Sequence, residues 1–304
     1  MKLGGLLTVL LGLLLSSSAA RADAILVSNS GNGTIGEYTT SGALLNFSLI
    51  SGLTDPEGLA VSGSDLFVAS PSINTIGEYT FSGATVNASL ITSVSNPHQI
   101  TVSGSDLFVA NGDPTDTIGE YTTSGATVNA SLISGFSGPP HGVAVSGSDL
   151  FVATAPGSTG TIGEYTTSGA TVNASLISLS SNPEEIAVSG SDLFVVSFAS
   201  GTVGEYTTSG ATVNASLISG LDEPYGIAVD GSNLFITNTG NGTISEYTTS
   251  GVLVDASLIS GLNEPTGIAI VPTAATPEPG SFTLLALGFV GLGFCWRRRA
   301  IRSR

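Results

Sequence analysis

Residues Pro224–Glu264 read PYGIAVDGSNLFITNTGNGTISEYTTSGVLVDASLISGLNE, and versions of this unit recur along most of the 304-residue chain. Its Glu-Tyr-Thr segment occurs six times, and consecutive copies are 41, 42, 44, 41 and 41 residues apart. The glutamates of the six copies are Glu37, Glu78, Glu120, Glu164, Glu205 and Glu246. A fixed period in this range is typical of solenoids and propellers.

Each unit contains four short runs that are rich in Val, Ile, Thr, Tyr and Phe and are bounded by Gly, Asn, Asp or Ser, as expected of β-strands. In the quoted unit these runs are Gly226–Val229, Leu234–Thr237, Thr243–Thr248 and Leu253–Ile259. Four antiparallel strands of this length make one propeller blade. The second run is apolar on both of its faces, which predicts that it is buried between two neighbouring blades.

First and second runs each occur six times, and the repeat region begins with a second run (Ala24–Val27) and ends with a first run (Gly267–Ile270). We therefore predict an all-β, six-bladed β-propeller over residues 24–271, closed by pairing of its N-terminal and C-terminal strands. Closure removes the free sheet edges that would otherwise invite aggregation.

The Pro-x-Gly-Ile-Ala-Val core of the unit resembles the NHL-type repeat and its relatives in bacterial six-bladed propellers, which include streptogramin-lyase-like and gluconolactonase-like proteins. The resemblance covers nearly the whole repeat region. It implies the fold and says little about activity, because propellers carry many functions.

Charge is distributed unevenly along the chain. Every basic residue lies near an end, and these residues are Lys2, Arg21, Arg297, Arg298, Arg299, Arg302 and Arg304. All 23 carboxylates lie between Asp23 and Gly280. Such a region cannot neutralise phosphates, so nucleic acid is excluded as a partner. Its acidity indicates either a self-repelling extracellular surface or a cation-binding one. The single Cys295 lies in the tail, so the repeats contain no disulfide.

Residues 1–22 combine Lys2, the apolar run Leu6–Leu15 and small residues around Ala20 and Ala22. This pattern predicts a secretory signal peptide that is removed by signal peptidase.

The C-terminal end has three parts. A linker with a Pro-Glu-Pro motif (272–280) comes first, and residues 281–304 then contain the apolar run Phe282–Trp296 followed by an arginine cluster. Fifteen apolar residues are few for a stable spanning helix, and the arginines would stay on the cytoplasmic side. The marked residues are Pro277, Glu278, Pro279, Arg297, Arg298 and Arg299.

This end resembles the PEP-CTERM sorting signal of Gram-negative bacteria. The resemblance implies transient anchoring in the inner membrane through the hydrophobic helix, processing by an exosortase-like enzyme, and export to the cell surface or extracellular matrix. Exopolysaccharide is the partner that such proteins often accompany. A plain C-terminal membrane anchor is the alternative.

The links between strands divide into two classes. Those from strand one to two and from strand three to four are nearly constant tight turns, such as Ser62–Asp65, and we interpret them as structural. The links from strand two to strand three vary in sequence. Together with the links from strand four to the next strand one, they lie on the opposite face of the propeller, and such loops usually carry binding residues. The repeated pair represented by Glu37 and Tyr38 is constant, so it is also predicted to serve the fold.

The residue after the proline at the start of strand one varies most. In chain order these residues are Glu57, His98, His141, Glu184, Tyr225 and Thr266, and both histidines of the chain are among them. Strand one is the innermost of a blade, so the six side chains should surround one mouth of the central channel and are the predicted ligand-binding residues. His98, His141, Glu57 and Glu184 are also ligand types for a divalent ion such as Zn²⁺.

Gln99 and Glu185 break the Pro-x-Gly pattern beside this ring, either as further polar groups of the site or through drift of two blades. The preferred interpretation is a non-enzymatic exported envelope or matrix protein that binds a ligand or polysaccharide through its variable face. The alternative, implied by the resemblance, is a metal-dependent lyase or lactonase at the axial ring. Variation without function also stays open, and no catalytic residue is assigned.

Overall fold

The computed structural model describes residues 23–271, which form 24 strands in six four-stranded antiparallel sheets. The predicted signal peptide (1–22), linker and sorting motif (272–280), and hydrophobic helix with its arginine tail (281–304) lie outside the described residues. Within residues 23–271, no helix has the length and hydrophobicity needed to cross a membrane.

In chain order the strands are β1 Ala24–Asn29, β2 Thr34–Thr39, β3 Leu44–Ser51, β4 Leu59–Ser62, β5 Asp65–Ser70, β6 Thr75–Thr80, β7 Thr85–Ile91, β8 Pro97–Ser103, β9 Asp106–Asn111, β10 Thr117–Thr122, β11 Thr127–Ser134, β12 Pro140–Ser146, β13 Asp149–Thr154, β14 Gly160–Thr166, β15 Thr171–Leu179, β16 Pro183–Ser189, β17 Asp192–Ser197, β18 Thr202–Thr207, β19 Thr212–Ser219, β20 Pro224–Asp230, β21 Asn233–Asn238, β22 Thr243–Thr248, β23 Leu253–Ser260 and β24 Pro265–Val271. A turn of 3-10 helix, Pro71–Ile73, joins β5 to β6.

The sheets are six propeller blades. Blade 1 has the order β24-β1-β2-β3, and blades 2 to 6 are β4–β7, β8–β11, β12–β15, β16–β19 and β20–β23. In blade 1 the last strand pairs antiparallel with the first, with Ala24 opposite Val271 and Val27 opposite Ile268. The predicted six-bladed fold and its closure by the two terminal strands are confirmed. Five of the six innermost strands begin at the proline of the Pro-x-Gly segment, two residues before the predicted start. The extension arises because this proline still pairs with the end of strand two; Pro97, for example, lies opposite Asn111.

The second strand of each blade supplies most of the core. Leu66, Phe67, Val68 and Ala69 of β5 are all almost fully buried, on both faces of the sheet. Neighbouring blades therefore enclose each sheet from both sides, and burial of these apolar side chains is the main source of stability in a region without disulfides.

The repeated tyrosine is part of this core, and it explains the glycine two residues before it. The ring of Tyr38 lies over Gly36, where a Cβ atom would be 2.8 Å from the ring carbon Cε2. In blade 6 the glycine is replaced by Ser245, and Tyr247 is the one repeated tyrosine that is not fully buried. The tyrosine thus serves packing between blades, as its constancy predicts.

Candidate functional site

Four of the residues that follow the strand-one proline form a row across consecutive blades. Nδ1 of His98 is 2.9 Å from Oε2 of Glu57, and Nδ1 of His141 is 2.5 Å from Oε2 of Glu184. The two imidazole rings stack on each other, with centroids 5.0 Å apart and planes inclined by 25°. Blades 2 to 5 thus contribute a symmetric Glu-His-His-Glu row at the channel mouth.

Tyr225, from blade 6, extends this row across the channel. Its hydroxyl donates a hydrogen bond to Oε2 of Glu57 over 3.0 Å, on the carboxylate oxygen that also contacts His98. Burial and the charges of Glu57 and Glu184 raise the pKa of Tyr225 well above its ordinary value. The phenol therefore keeps its proton and acts as a donor.

Thr266, the sixth predicted member, turns away from this network. It is buried, its hydroxyl donates to the backbone oxygen of Pro56 over 3.0 Å, and it lies 3.0 Å from Oγ of Ser28. The structure therefore brings five of the six predicted residues together. Thr266, the residue from blade 1, hydrogen-bonds to the backbone instead.

The two histidines differ at their second ring nitrogen. With Nδ1–H donated to Glu57, Nε2 of His98 accepts from the side-chain amide of Asn96 over 3.0 Å. Nε2 of His141 has no hydrogen-bond partner within residues 23–271. Burial acts to lower the pKa of His141, but the hydrogen bond and charge of Glu184, with further charges nearby, leave it raised. His141 is therefore the ring that presents a free nitrogen and attracts a proton.

Two aspartates of the link between β9 and β10 add negative charge beside this ring. The charge of Asp113 contributes to raising the pKa of His141. Burial and the charge of Asp113 raise the pKa of Asp116, while His141 acts to lower it. The propeller sequence contains no Lys or Arg that could balance these carboxylates.

Gln99 and Glu185 form a second polar layer next to the row. Both are buried, Oε1 of Gln99 accepts from the backbone N–H of Ile100 over 3.0 Å, and Oε2 of Glu185 accepts from the backbone N–H of Ile227 over 2.9 Å. Burial raises the pKa of Glu185 to about 8. Gly226 has no room for a Cβ atom, which would meet the backbone oxygen of Thr266 and would lie 3.0 Å from Oε2 of Glu185. The two breaks in the Pro-x-Gly pattern are thus both buried inside the molecule.

The predicted metal ligands do not converge on a common point. Across the described residues, no group of three or more His, Cys, Asp or Glu side chains is arranged to hold a metal ion. The carboxylates of Glu57 and Glu184 instead face the Nδ1 atoms of His98 and His141. The metal site stays a prediction from the sequence.

The fold and the sorting signal define the class of the protein. It is a six-bladed β-propeller whose chain carries a sorting signal after the last blade. Residues 275–299 match the PEP-CTERM protein-sorting motif, so this is an exported protein sorted by an exosortase. No curated protein matches the chain.

Solved structures with the same fold are distant in sequence. The propeller in the crystal structure of a nidogen/laminin complex is 16% identical, with a TM-score of 0.70, over 84% of this chain and 100% of that one. A streptogramin B lyase is 20% identical, with a TM-score of 0.58, and the match covers 80% of this chain and 91% of that one. A gluconolactonase from Xanthomonas campestris is 15% identical, with a TM-score of 0.61, and the match covers 71% of this chain and 79% of that one. These similarities show the fold alone.

Proposed function

We propose that this exported propeller is a non-enzymatic protein of the cell surface or extracellular matrix that binds a neutral, hydroxyl-rich ligand, a segment of exopolysaccharide, at the Glu-His-His-Glu row. The observation that carries the proposal is the row itself. Five polar side chains from five blades form one network at the channel mouth, and it includes a free imidazole nitrogen on His141.

The charge of the site supports a neutral ligand. The carboxylates of Glu57 and Glu184 and those of Asp113 and Asp116 would repel a phosphate, sulfate or uronate, and no Lys or Arg of the propeller could compensate. Carboxylate oxygens accept hydrogen bonds from sugar hydroxyls, and Nε2 of His141 adds a further acceptor or, when protonated, a donor.

The route of export supports the location. An exosortase-sorted chain that also has a signal peptide would be transiently anchored in the inner membrane of a Gram-negative bacterium and then released to the surface. Acidic propellers without basic residues repel one another, which favours dispersal in a hydrated matrix.

The experiment is a binding screen of the purified protein against neutral and acidic glycans, with and without divalent cations. H141A and E184Q should each weaken binding of the neutral glycan by about tenfold or more, since each disrupts a hydrogen bond that involves a charged group. D192N is the matched control, because Asp192 lies in the same blade as Glu184 but at the opposite end of its sheet. Equal affinity in E184Q and D192N would contradict the proposal.

A lyase or lactonase is the second candidate, and the short contact between His141 and Glu184 favours it. A carboxylate that orients an imidazole and raises its pKa is an arrangement for general acid–base catalysis. The named activities of the streptogramin B lyase and the gluconolactonase define the substrates to test. Hydrolysis of gluconolactone or cleavage of a streptogramin B that is lost in H141A and retained in D192N would establish it. Metal analysis of the purified protein tests the predicted divalent ion.

A further inference from the structure

The outer strands of blades 1 and 6 differ from those of the other four blades. Blades 2 to 5 share the sequence Thr-Val-Asn-Ala-Ser at the start of strand four, and its valine is the large apolar residue exposed there. Blade 1 has Leu-Leu-Asn-Phe-Ser at these positions, and blade 6 has Leu-Val-Asp-Ala-Ser after a further valine. Six large apolar side chains of these two blades, here called the apolar rim, are 47% to 61% exposed: Leu44, Leu45, Phe47, Val252, Leu253 and Val254.

The two outer strands adjoin each other on the circumference of the propeller. Gly42, in the turn before β3, packs on β23, since a Cβ atom there would meet the backbone oxygen of Leu258 and lie 3.0 Å from its Cγ atom. Blades 1 and 6 also share a hydrophobic cluster that contains Ile25 and Phe235. The apolar rim therefore lies on one side of the ring.

The same two blades lack carboxylates that the other four present nearby. Blades 2 to 5 begin strand two with an aspartate, whereas blades 1 and 6 have Ala24 and Asn233 there. The repeated glutamate of strand three is partly exposed in blades 2 to 5, but Glu37 of blade 1 and Glu246 of blade 6 are buried. Asp255 is the one carboxylate in β3 and β23. This side of an acidic molecule is thus apolar and poor in charge.

The chain leaves the propeller at the blade that carries half of the apolar rim. Val271, at the end of β24, lies opposite Ala24, and Ala24 lies opposite Thr39. The N–H of Thr39 donates to the backbone oxygen of Ala43, directly before β3. Val271 is therefore three strand spacings, about 14 Å, from the start of β3. Residues 272–281 span at most about 36 Å when extended, so a chain anchored by the apolar run after them keeps blade 1 close to the bilayer.

We propose that the apolar rim contacts the surface of the lipid bilayer while the tail anchors the chain. Side chains such as Leu45, Phe47 and Leu253 enter the boundary between headgroups and acyl chains, where amphipathic surfaces are buried by about 5–10 Å. The propeller contains no Lys or Arg, so anionic lipids add no attraction and the contact depends on apolar area alone. Such a contact is weak without the tail, so processing by the exosortase releases the propeller.

This proposal rests on the membrane anchoring proposed above and is independent of the Glu-His-His-Glu row. It accounts for two departures from the repeat, the gain of apolar side chains and the loss of surface carboxylates, at the blades beside the exit of the chain. A repeat that served the fold alone would need neither departure, because blades 2 to 5 form the same sheet without them.

The test places one fluorescent reporter at the same strand position on opposite sides of the ring. L45C in blade 1 and V172C in blade 4 are each made in a C295S background, which removes the native cysteine. The full-length variants are labelled and reconstituted into phosphatidylcholine vesicles with and without quencher-labelled lipid. Quenching by the lipid should be about threefold or more stronger in L45C than in V172C, and V254C in blade 6 should behave as L45C does.

The triple variant L44T/L45V/F47A gives β3 the sequence of strand four in blades 2 to 5, so it should fold with nearly the wild-type Tm. Combined with V254C, it should reduce lipid quenching at that reporter by about half or more. Flotation of the full-length protein with vesicles tests the anchoring itself. A protein that floats but is quenched equally in L45C and V172C would overturn the membrane contact and leave the anchoring intact, whereas failure to float would overturn both. Self-quenching of L45C that rises with the number of chains per vesicle, without quenching by lipid, would overturn the proposal in favour of a second copy as the partner.

Discussion

The imidazole rings of His98 and His141 lie nearly parallel, with centroids 5.0 Å apart, although they come from different blades and each hydrogen-bonds a different glutamate. Both ring nitrogens of His98 have hydrogen-bond partners, whereas Nε2 of His141 has none within residues 23–271. Burial acts to lower the pKa of His141, but the hydrogen bond and charge of Glu184 leave it raised. His141 is therefore the ring of the pair whose affinity for a proton the site increases.

E184Q should lower the pKa of His141, because it removes the charge that raises the pKa, weakens the charge-assisted hydrogen bond to a neutral one, and leaves the burial that lowers the pKa. The Hε1 resonances report this directly in an NMR titration, since the chain has two histidines. E57Q is the control, because Glu57 acts on His141 through its charge alone and not as a hydrogen-bond partner, so E57Q should lower the pKa of His141 less. An unchanged titration of His141 in E184Q would show that Glu184 does not set its proton affinity.

The raised pKa of His141 also has a consequence for stability. The folded protein binds a proton here more tightly than the unfolded chain, so this contribution is fully present below the ordinary pKa of 6.5 and is lost as pH rises through the folded value.

Glu185 predicts a second pH dependence of the stability. Burial raises its pKa from about 4.5 to about 8, so the folded state holds the proton over a range in which the unfolded chain releases it. The stability linked to Glu185 is therefore greatest below pH 4.5 and falls as pH rises to about 8. E185Q, which keeps an oxygen for the N–H of Ile227, should lose less stability across this window and should be the more stable protein above pH 8.

Urea unfolding from pH 4.5 to 9 measures this effect, and the difference between wild type and E185Q isolates it. The comparison with E185Q is needed because the pKa values of other glutamates are also raised, so these residues also make the protein less stable as pH rises. Burial and the charge of Asp65, for example, raise the pKa of Glu78, and the same holds in the other blades with a neighbouring aspartate. Parallel curves for the two proteins would mean that Glu185 ionises freely in the folded state.

The sequence predicts the blades well because their rules are local. The period, the apolar faces of strand two and the split of blade 1 follow from alternation and turn chemistry, and the closure they imply is present. The position of the axial residues also follows, since strand one is innermost. What each side chain does there depends on contacts between blades. Thr266 turns to Pro56, Tyr225 reaches Glu57, and no pattern in a single unit specifies either contact.

The seam between blades 4 and 5 lies between these cases. Ser180 and Leu179 depart from the pattern of the six aligned links, but only the structure shows that Leu179 packs in the cluster that contains Tyr206 of the next blade. The layer of Gln99 and Glu185 is similar. The sequence marks both residues as departures from glycine, and the structure shows that both are buried and that Glu185 accepts a hydrogen bond from the backbone of the next blade.

Trypsin should leave the repeat region in one piece, even after denaturation, because no Lys or Arg lies between Ala22 and Trp296. Mass spectrometry of the digest should show a fragment that spans all six blades. A protease that cleaves after Glu is the control, since it should cut the denatured region near every repeated Glu-Tyr pair. Tryptic fragments from within the repeat region would contradict this prediction.

Closure of the ring predicts an energetic role for Ser28 in β1. Its hydroxyl donates to the backbone oxygen of Glu57 over 2.6 Å and accepts from the backbone N–H of Gly267 over 2.7 Å, so it joins β1 and β24 to the start of blade 2. S28A should lower the free energy of unfolding by about 1–3 kcal/mol, because two buried backbone groups lose their partner. S30A is the matched control. Its hydroxyl also bonds a backbone oxygen, that of Glu264, but is exposed, so water replaces it and the expected loss is under about 0.5 kcal/mol. Equal losses in the two variants, measured by urea unfolding, would mean that the buried contact adds nothing to closure.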